Sequence, residues 1–241
     1  MAVIHRKRDP IQLAQSAAEF IREQAQEAVA RHGCFEWVLS GGSTPEATYQ
    51  SLTAAGGVDW SKVFFYWGDE RCVPPTDAAS NFRMADQALI SQVPVAEDHV
   101  FRIHGEDEPG TGASDYQRLL ESRFADEGRP RFDLVMLGLG PEAHTASLFP
   151  GTLALKEAER WVVANYVDKL ASWRVTLTPA ALNSALQVVF LVQGEEKASA
   201  VRQVLEGDRN PIQWPAQVIQ PTDGEVHWFL DEAAASLLRK H

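Results

Sequence analysis

The sequence predicts an α/β fold with a mostly parallel sheet and helices on both faces, and three observations carry that prediction. Short apolar runs recur along the chain: FEWVL (35–39), VFFYW (63–67), FDLVML (132–137), WVVANY (161–166), RVTLT (174–178), QVVFLV (187–192) and VHWFL (226–230). Segments of helical character lie between many of them, among them PEATYQSLTAAG, SDYQRLLESRFADEG, PAALNSA and EEKASAVRQVLEG. No repeat, low-complexity block or linker interrupts the alternation, so residues 1–241 read as one domain. Strands that alternate with helices imply crossover units, and a sheet covered on both faces needs strands that are apolar throughout. Such sheets bind ligands at the carboxyl ends of their strands, which directs attention to the loops there.

The first element is a helix. From Ile11 to Ala30, apolar residues recur at Ala14, Ala17, Ala18, Ile21, Ala25 and Val29, which is helical spacing. Strand FEWVL then leads into LSGGSTPEATYQSL. Thr44 is placed to cap a helix, Pro45 suits its first turn, and Glu46 complements the positive end of the dipole. Gly41 and Gly42 allow a tight turn that leaves backbone N–H groups free for an anion. A plain strand-to-helix turn needs only a cap. Two glycines with Ser43 exceed that need, so Gly41, Gly42, Ser43 and Thr44 are candidate phosphate ligands. The loop lacks the G-K-[ST] ending of a nucleotide loop and the G-x-G-x-x-G of a dinucleotide fold.

Strand VFFYW is followed by GDERCVPPTDAASNFRMA, where Asp69, Glu70 and Arg71 crowd the strand end and Asn81 lies ten residues past Arg71. A D-E-R triplet alone is usually a solvated loop with an internal ion pair; its place at a strand's carboxyl end makes Arg71 and Asn81 binding candidates. After FDLVML comes GLGPEAHTASLFPG (138–151). His144 follows a G-x-G turn, with Thr145, Ala146 and Ser147 expected to open a helix whose positive end keeps the imidazole neutral. A lone histidine is more often structural, but one in this position is a candidate base. Arg174 begins strand RVTLT, and Lys197 falls in the first turn of the EEKASAVRQVL helix, where a lysine opposes the dipole. Pairing with Glu195 or Glu196 is the ordinary explanation of Lys197, and a phosphate contact is the sharper one.

Composition narrows the classes. A net charge of −11 and a pI near 5.1 argue against a general nucleic-acid binder, while leaving room for one small anion held by a few convergent cations. Cys34 and Cys72 make neither a disulfide framework nor a C-x-x-C pair, as expected for reduced thiols. The basic N-terminus lacks the apolar stretch of a signal peptide, and no window approaches a membrane span. A cytoplasmic protein with no membrane association is expected. There is no metal cluster, no G-x-S-x-G elbow and no Cys–His nucleophile pattern. An anion cradle, several cations and one neutral base suit water attack on a reactive phosphorylated small molecule.

SGGSTP (40–45), GDER with the later SN (68–71, 80–81), GLGPEAHTASLFPG, RVTLTP (174–179) and GEEKA (194–198) occur in the order seen in 6-phosphogluconolactonases, and the chain resembles that family over nearly its whole length. The resemblance implies a Rossmann-like three-layer sandwich and hydrolysis of 6-phospho-D-glucono-1,5-lactone, the second step of the oxidative pentose phosphate pathway. It implies no cofactor and no metal, and a monomer or small homo-oligomer. His144 would be the general base, with Glu142 beside it. Gly41 to Thr44, Arg71, Arg174 and Lys197 would hold the phosphate, and the family motif puts Asn81 near the same pocket. Two alternatives stand beside this one. Sugar-phosphate isomerases and deaminases of the same superfamily carry I-A-F-N-E-P after the histidine, where this chain reads TASLFP without a carboxylate. A non-enzymatic sugar-phosphate sensor is expected to carry a helix-turn-helix extension, for which about ten residues before the first helix leave no room.

One departure stands out. The usual family motif reads D-G-H, and this chain reads E-A-H. Glu142 is one methylene longer than aspartate and must fold back or reach a different partner. An alanine in place of glycine is awkward if the position is left-handed, so either Ala143 has relaxed to a negative φ that keeps His144 in place, which is the expected case, or the loop is strained and the enzyme impaired.

Overall fold

The computed structural model describes residues 2–239. In chain order its first half comprises β1 (Val3–Lys7), α1 (Pro10–His32), β2 (Phe35–Leu39), α2 (Ser43–Ala55), β3 (Val63–Trp67), β4 (Asp69–Arg71), α3 (Asn81–Ala88), β5 (Val100–Phe101) and α4 (Pro109–Arg123). The second half comprises β6 (Leu134–Leu137), β7 (Val162–Val167), β8 (Ser172–Leu177), α5 (Pro179–Leu182), β9 (Gln187–Val192), α6 (Ala198–Glu206) and β10 (Glu225–Asp231).

Seven strands form one sheet in the order β1-β10-β9-β6-β2-β3-β5, and every neighbouring pair in it is parallel. Strands β2 and β6 are buried at every residue, so helices or loops cover both faces. From β2 the chain proceeds outward through β3 to β5, and from β6 it proceeds the other way to β9 and β10. The order therefore reverses between β2 and β6. A crevice opens at the carboxyl ends of two strands whose connections leave in opposite directions, and ligands of open α/β sheets bind there.

α1 forms where the periodicity predicts it. Asp9 accepts a hydrogen bond from the Gln12 N–H, Pro10 occupies the first turn, and Gly33 closes the helix at φ 91°. Its buried stripe of Leu13, Ala17, Ile21, Ala25 and Ala28 is narrow because three of these five residues are alanines, which lets the helix lie close to the sheet. Trp37, Tyr49, Tyr66, Trp67, Phe35 and Phe65 are among the largest fully buried side chains of the core. Each large side chain sealed there contributes about 1.5–3 kcal/mol through apolar burial.

The strands at 161–166 and 174–178 do not join the parallel sheet. As β7 and β8 they form an antiparallel pair, with β4 on its other edge, in a separate three-stranded sheet. The four residues between them are too few for a crossover helix and allow only a hairpin. Gly68 joins the two sheets. Its N–H donates to the Leu39 carbonyl at the end of β2, and its carbonyl accepts from the Leu177 N–H of β8. β4 is thereby carried across the carboxyl ends of the main sheet.

Candidate active site

A cavity of about 340 Å³ lies at the switch point. Its walls are the loop after β2 (Ser40 to Thr44), Asp69 and Arg71 of β4, Asn81 at the start of α3, the loop after β6 including His144, and Gln193 and Lys197 after β9. These are the loops that strand polarity singles out. Among the described residues no group of three His, Cys, Asp or Glu could hold a metal.

The loop after β2 turns at Gly42, φ 107°, which sits at the N-cap of α2. No side chain caps this helix, and Thr44 lies inside its first turn, so the expected capping by Thr44 is not what the chain does. The Gly42 carbonyl accepts from Glu46 N–H. α2 begins two residues earlier than expected, and with no side chain capping it the first-turn N–H groups stay open toward the cavity, an arrangement suited to an anion. Gly41 is there for space: a Cβ on it would stand 1.8 Å from Asn81 Oδ1. Asn81 is buried and donates to the Asp69 carbonyl at 2.8 Å and to Asp69 Oδ1 at 3.3 Å, so it joins α3 to β4.

Glu70 organises this wall from behind. Its buried carboxylate accepts from the N–H groups of Arg71, Asn81 and Phe82 and from the Ser80 hydroxyl, at 2.7–3.0 Å. Burial raises its pKa, and the three backbone donors oppose that rise. The D-E-R triplet is thus not a solvated loop with an internal pair: Glu70 caps α3, Asp69 faces the cavity, and Arg71 lines it while donating to the Ala79 carbonyl. Arg174 stands opposite Arg71 in the β4–β8 register but does not line the cavity. It donates to Ser172 Oγ at 2.6 Å and the Trp173 carbonyl at 2.9 Å, and burial followed by the Arg71 charge lowers its pKa. Lys197 ends a short turn ahead of α6 and lines the cavity. Among the described residues, neither Arg71 nor Lys197 is in an ion pair, so Lys197 is not the partner of Glu195 or Glu196.

No helix follows His144. Residues 145–150 form turns with a single bridge between Thr145 and Leu148, because Thr145 donates to the Gly138 carbonyl and Ser147 is drawn to Asp69 (2.6 Å). The expected dipole effect on the imidazole is therefore absent. Burial does that work instead and holds the His144 pKa below its ordinary value. Glu142 and Asp69 push the other way, and Lys197 adds to the burial effect. The ring stacks on Phe149 at 4.0 Å and lies over Gly140, where a Cβ would collide with it at 2.0 Å. Its Nδ1 is buried without an aligned hydrogen bond, and the nearest carboxylate oxygen, Glu142 Oε2, is 3.3 Å away. Burial raises the Glu142 pKa, but Lys169, a bond from its own backbone N–H and His144 together outweigh that and keep it below its ordinary value.

Ala143 has φ 58°, so the expected relaxation to a negative φ has not occurred. The residue is sealed in the core, its N–H donates to the Gly140 carbonyl at 2.9 Å, and its carbonyl accepts from the Ala216 N–H at 2.9 Å. Two backbone bonds hold the left-handed turn that the family's glycine would adopt freely. Glu142, for its part, does reach a different partner: Lys169 Nζ lies 2.7 Å from its Oε1.

Sequence reasoning weighed Asp69 only as part of the D-E-R triplet and passed over Ser147 and Lys169. Asp69 had a legible signal, a carboxylate at a strand's carboxyl end. Ser147 and Lys169 had none, since only the second sheet brings their surroundings together.

The sequence profile of the glucosamine-6-phosphate isomerases/6-phosphogluconolactonase family matches residues 8–228. A 6-phosphogluconolactonase of Nostoc sp. is 35% identical over 233 residues, covering 95% of each chain. One of Rattus norvegicus is 37% identical over 236 residues, covering 95% of this chain and 91% of its own. Among solved structures, 6-phosphogluconolactonase from Trypanosoma cruzi superposes with a TM-score of 0.87 at 27% identity, covering 100% of this chain and 98% of its own. A monomeric glucosamine-6-phosphate deaminase shares the fold, with a TM-score of 0.84 at 20% identity. With the profile spanning most of the chain and the cavity lying where the order of the parallel strands reverses, this chain belongs to the glucosamine-6-phosphate isomerase/6-phosphogluconolactonase family.

Proposed function

We propose that this protein hydrolyses 6-phospho-D-glucono-1,5-lactone to 6-phospho-D-gluconate, a step of the oxidative pentose phosphate pathway. The observation that carries the proposal is the sharing of one cavity by a half-buried, neutral-biased imidazole and an anion cradle with two cations, Arg71 and Lys197, that form no ion pair among the described residues. The relatives named 6-phosphogluconolactonase support the same substrate.

The open N–H groups at the start of α2, with Arg71 and Lys197, hold the phosphate, and Arg174 adds positive potential behind Arg71. Holding that remote group positions the lactone carbonyl over His144. His144 takes a proton from water as the water oxygen bonds to the carbonyl carbon. When the tetrahedral intermediate collapses, the ring C–O bond breaks and the proton passes from His144 to the departing oxygen, which becomes a hydroxyl. A lactone is an activated ester, so one positioned base is sufficient, a contribution of about 10²–10⁴-fold.

The test is hydrolysis of freshly prepared 6-phosphogluconolactone above its background rate, with unphosphorylated gluconolactone as control. Strong preference for the phosphorylated substrate is expected, and His144→Ala should lower kcat by about 10²-fold or more while product affinity holds. Near-full turnover by His144→Ala would refute the general-base role, and no preference for the phosphate would refute the cradle.

A further inference from the structure

Lys169 lies outside the cavity, on the short turn between β7 and β8, and nothing in the sequence near it suggests a role in the chemistry. Three observations give it one. Its ammonium is 2.7 Å from Glu142 Oε1, across 27 residues of sequence. The other oxygen of that carboxylate is 3.3 Å from His144 Nδ1. Nδ1 is buried and lacks any aligned partner, so Glu142 is the acceptor within reach of it.

We infer that Lys169 is a positioning residue: by holding Glu142 Oε1 it keeps Glu142 Oε2 against His144 Nδ1, which places the neutral ring's proton on Nδ1 and leaves Nε2 as the free lone pair. This rests on the proposed role of His144 as the base. The physical argument concerns freedom of movement. A glutamate has one more rotatable bond than the aspartate usual in this family, and at a partly solvated position it samples several rotamers. A second contact at the opposite oxygen removes most of them. Which nitrogen of a histidine carries the proton is set by the hydrogen bond that the other ring position makes.

The turn is built to hold the lysine still. Ala171 adopts φ 45° and its N–H donates to the Asp168 carbonyl, so the turn is a tight one. β7 is tied to the histidine loop a second time, by Asn165 donating to the Ser147 carbonyl at 2.8 Å. The distance from turn to histidine loop is therefore fixed independently of the ion pair. With the lysine 69% exposed, the pair contributes little stability, and its effect is one of orientation.

The experiment labels the histidine rings with ¹⁵N and reads the tautomer of neutral His144 in the natural chain, Lys169→Met and Lys169→Arg. The natural chain should show Nδ1 protonated. Lys169→Met should shift the population toward the Nε2-protonated form, with kcat falling by about three- to tenfold at unchanged KM, a small fraction of the roughly 10⁴-fold seen when a tautomer-fixing carboxylate is lost from a hydrolase. Lys169→Arg should restore both. An unchanged tautomer spectrum in Lys169→Met would overturn the inference. A shifted spectrum with unchanged kcat would uphold the positioning and count against His144 as the base.

Discussion

At Ala143 two effects oppose each other within one residue. Its left-handed backbone costs an L-residue about 1–2 kcal/mol, while its methyl is fully buried and contributes about 0.8 kcal/mol. Replacing it with glycine would relieve the strain, lose the methyl, and add about 0.4–1 kcal/mol of unfolded-chain entropy. The sum is near zero. Ala143→Gly is therefore expected to shift stability by less than about 1 kcal/mol in urea titration and to leave kcat/KM within about tenfold. A larger gain in either would mean that the natural loop is strained beyond what its two backbone bonds compensate. One residue on, the sign of the His144 shift fixes a pH profile. If His144 is the base as proposed, it acts when deprotonated, and activity is expected to rise with pH through its pKa, which burial holds below the ordinary value of 6.5 against the opposing pull of Glu142 and Asp69, with Lys197 aiding burial. The acidic limb of kcat/KM should be centred below 6.5. A midpoint above that value would contradict the burial argument.

Strand β4 is the element on which the site depends most and the one least visible in sequence. It is three charged residues long, and its place in a sheet comes from backbone pairing to β8, with no apolar run to announce it. β1 and β5 were missed for related reasons: β1 is an edge strand with only two apolar residues ahead of His5, Arg6 and Lys7, and β5 has two residues. The long buried strands and α1 were legible because burial on every side leaves a run or a period in the sequence. The cavity loops were legible through strand polarity. The helix after His144 was not there to be found, since Asp69 and Thr176 compete for the backbone and side chain of Ser147. Glu70 tests how far β4 depends on its carboxylate. In Glu70→Gln an NH₂ replaces one oxygen, and either orientation sets it against at least one backbone N–H. A loss of about 2–3 kcal/mol is expected, which for a chain of this size lowers Tm by roughly 4–12 °C. A fall of under about 2 °C in calorimetry would show that the loop rearranges freely.

For the molecule as a whole, the sheet separates chemistry from ballast. At the amino ends of the strands, far from the cavity, Glu36 is buried and accepts from Tyr66 (2.7 Å) and Arg123 (2.6 Å). Asp133 beside it accepts from the Glu36 N–H, Arg31 and His32 at 2.8–2.9 Å. Asp133 fastens the start of β6 to β2 and α1, and Glu36 ties β2 to β3 and α4, at the opposite end of the strands from the candidate site. Arg123→Met would leave Glu36 with the Tyr66 hydroxyl and the weaker Cys34 thiol as its side-chain donors. Removing one partner of a sealed pair costs about 3–5 kcal/mol, and Arg123 is a third exposed, so about 2 kcal/mol is expected. The urea midpoint should fall while kcat and KM stay unchanged. Altered kinetics would show that the two ends of the sheet are coupled.

The pairing of β1 with β10 has a consequence for how the molecule comes into being. β1 is synthesised long before its partner β10, with His5 and His227 in contact across 222 residues of sequence. During synthesis β1 has no partner, and the central strands, α1 and the cavity loops can assemble before it does. Its edge is therefore the last seam to close, and a chain interrupted before β10 leaves an unpaired strand ready to find a partner in another molecule.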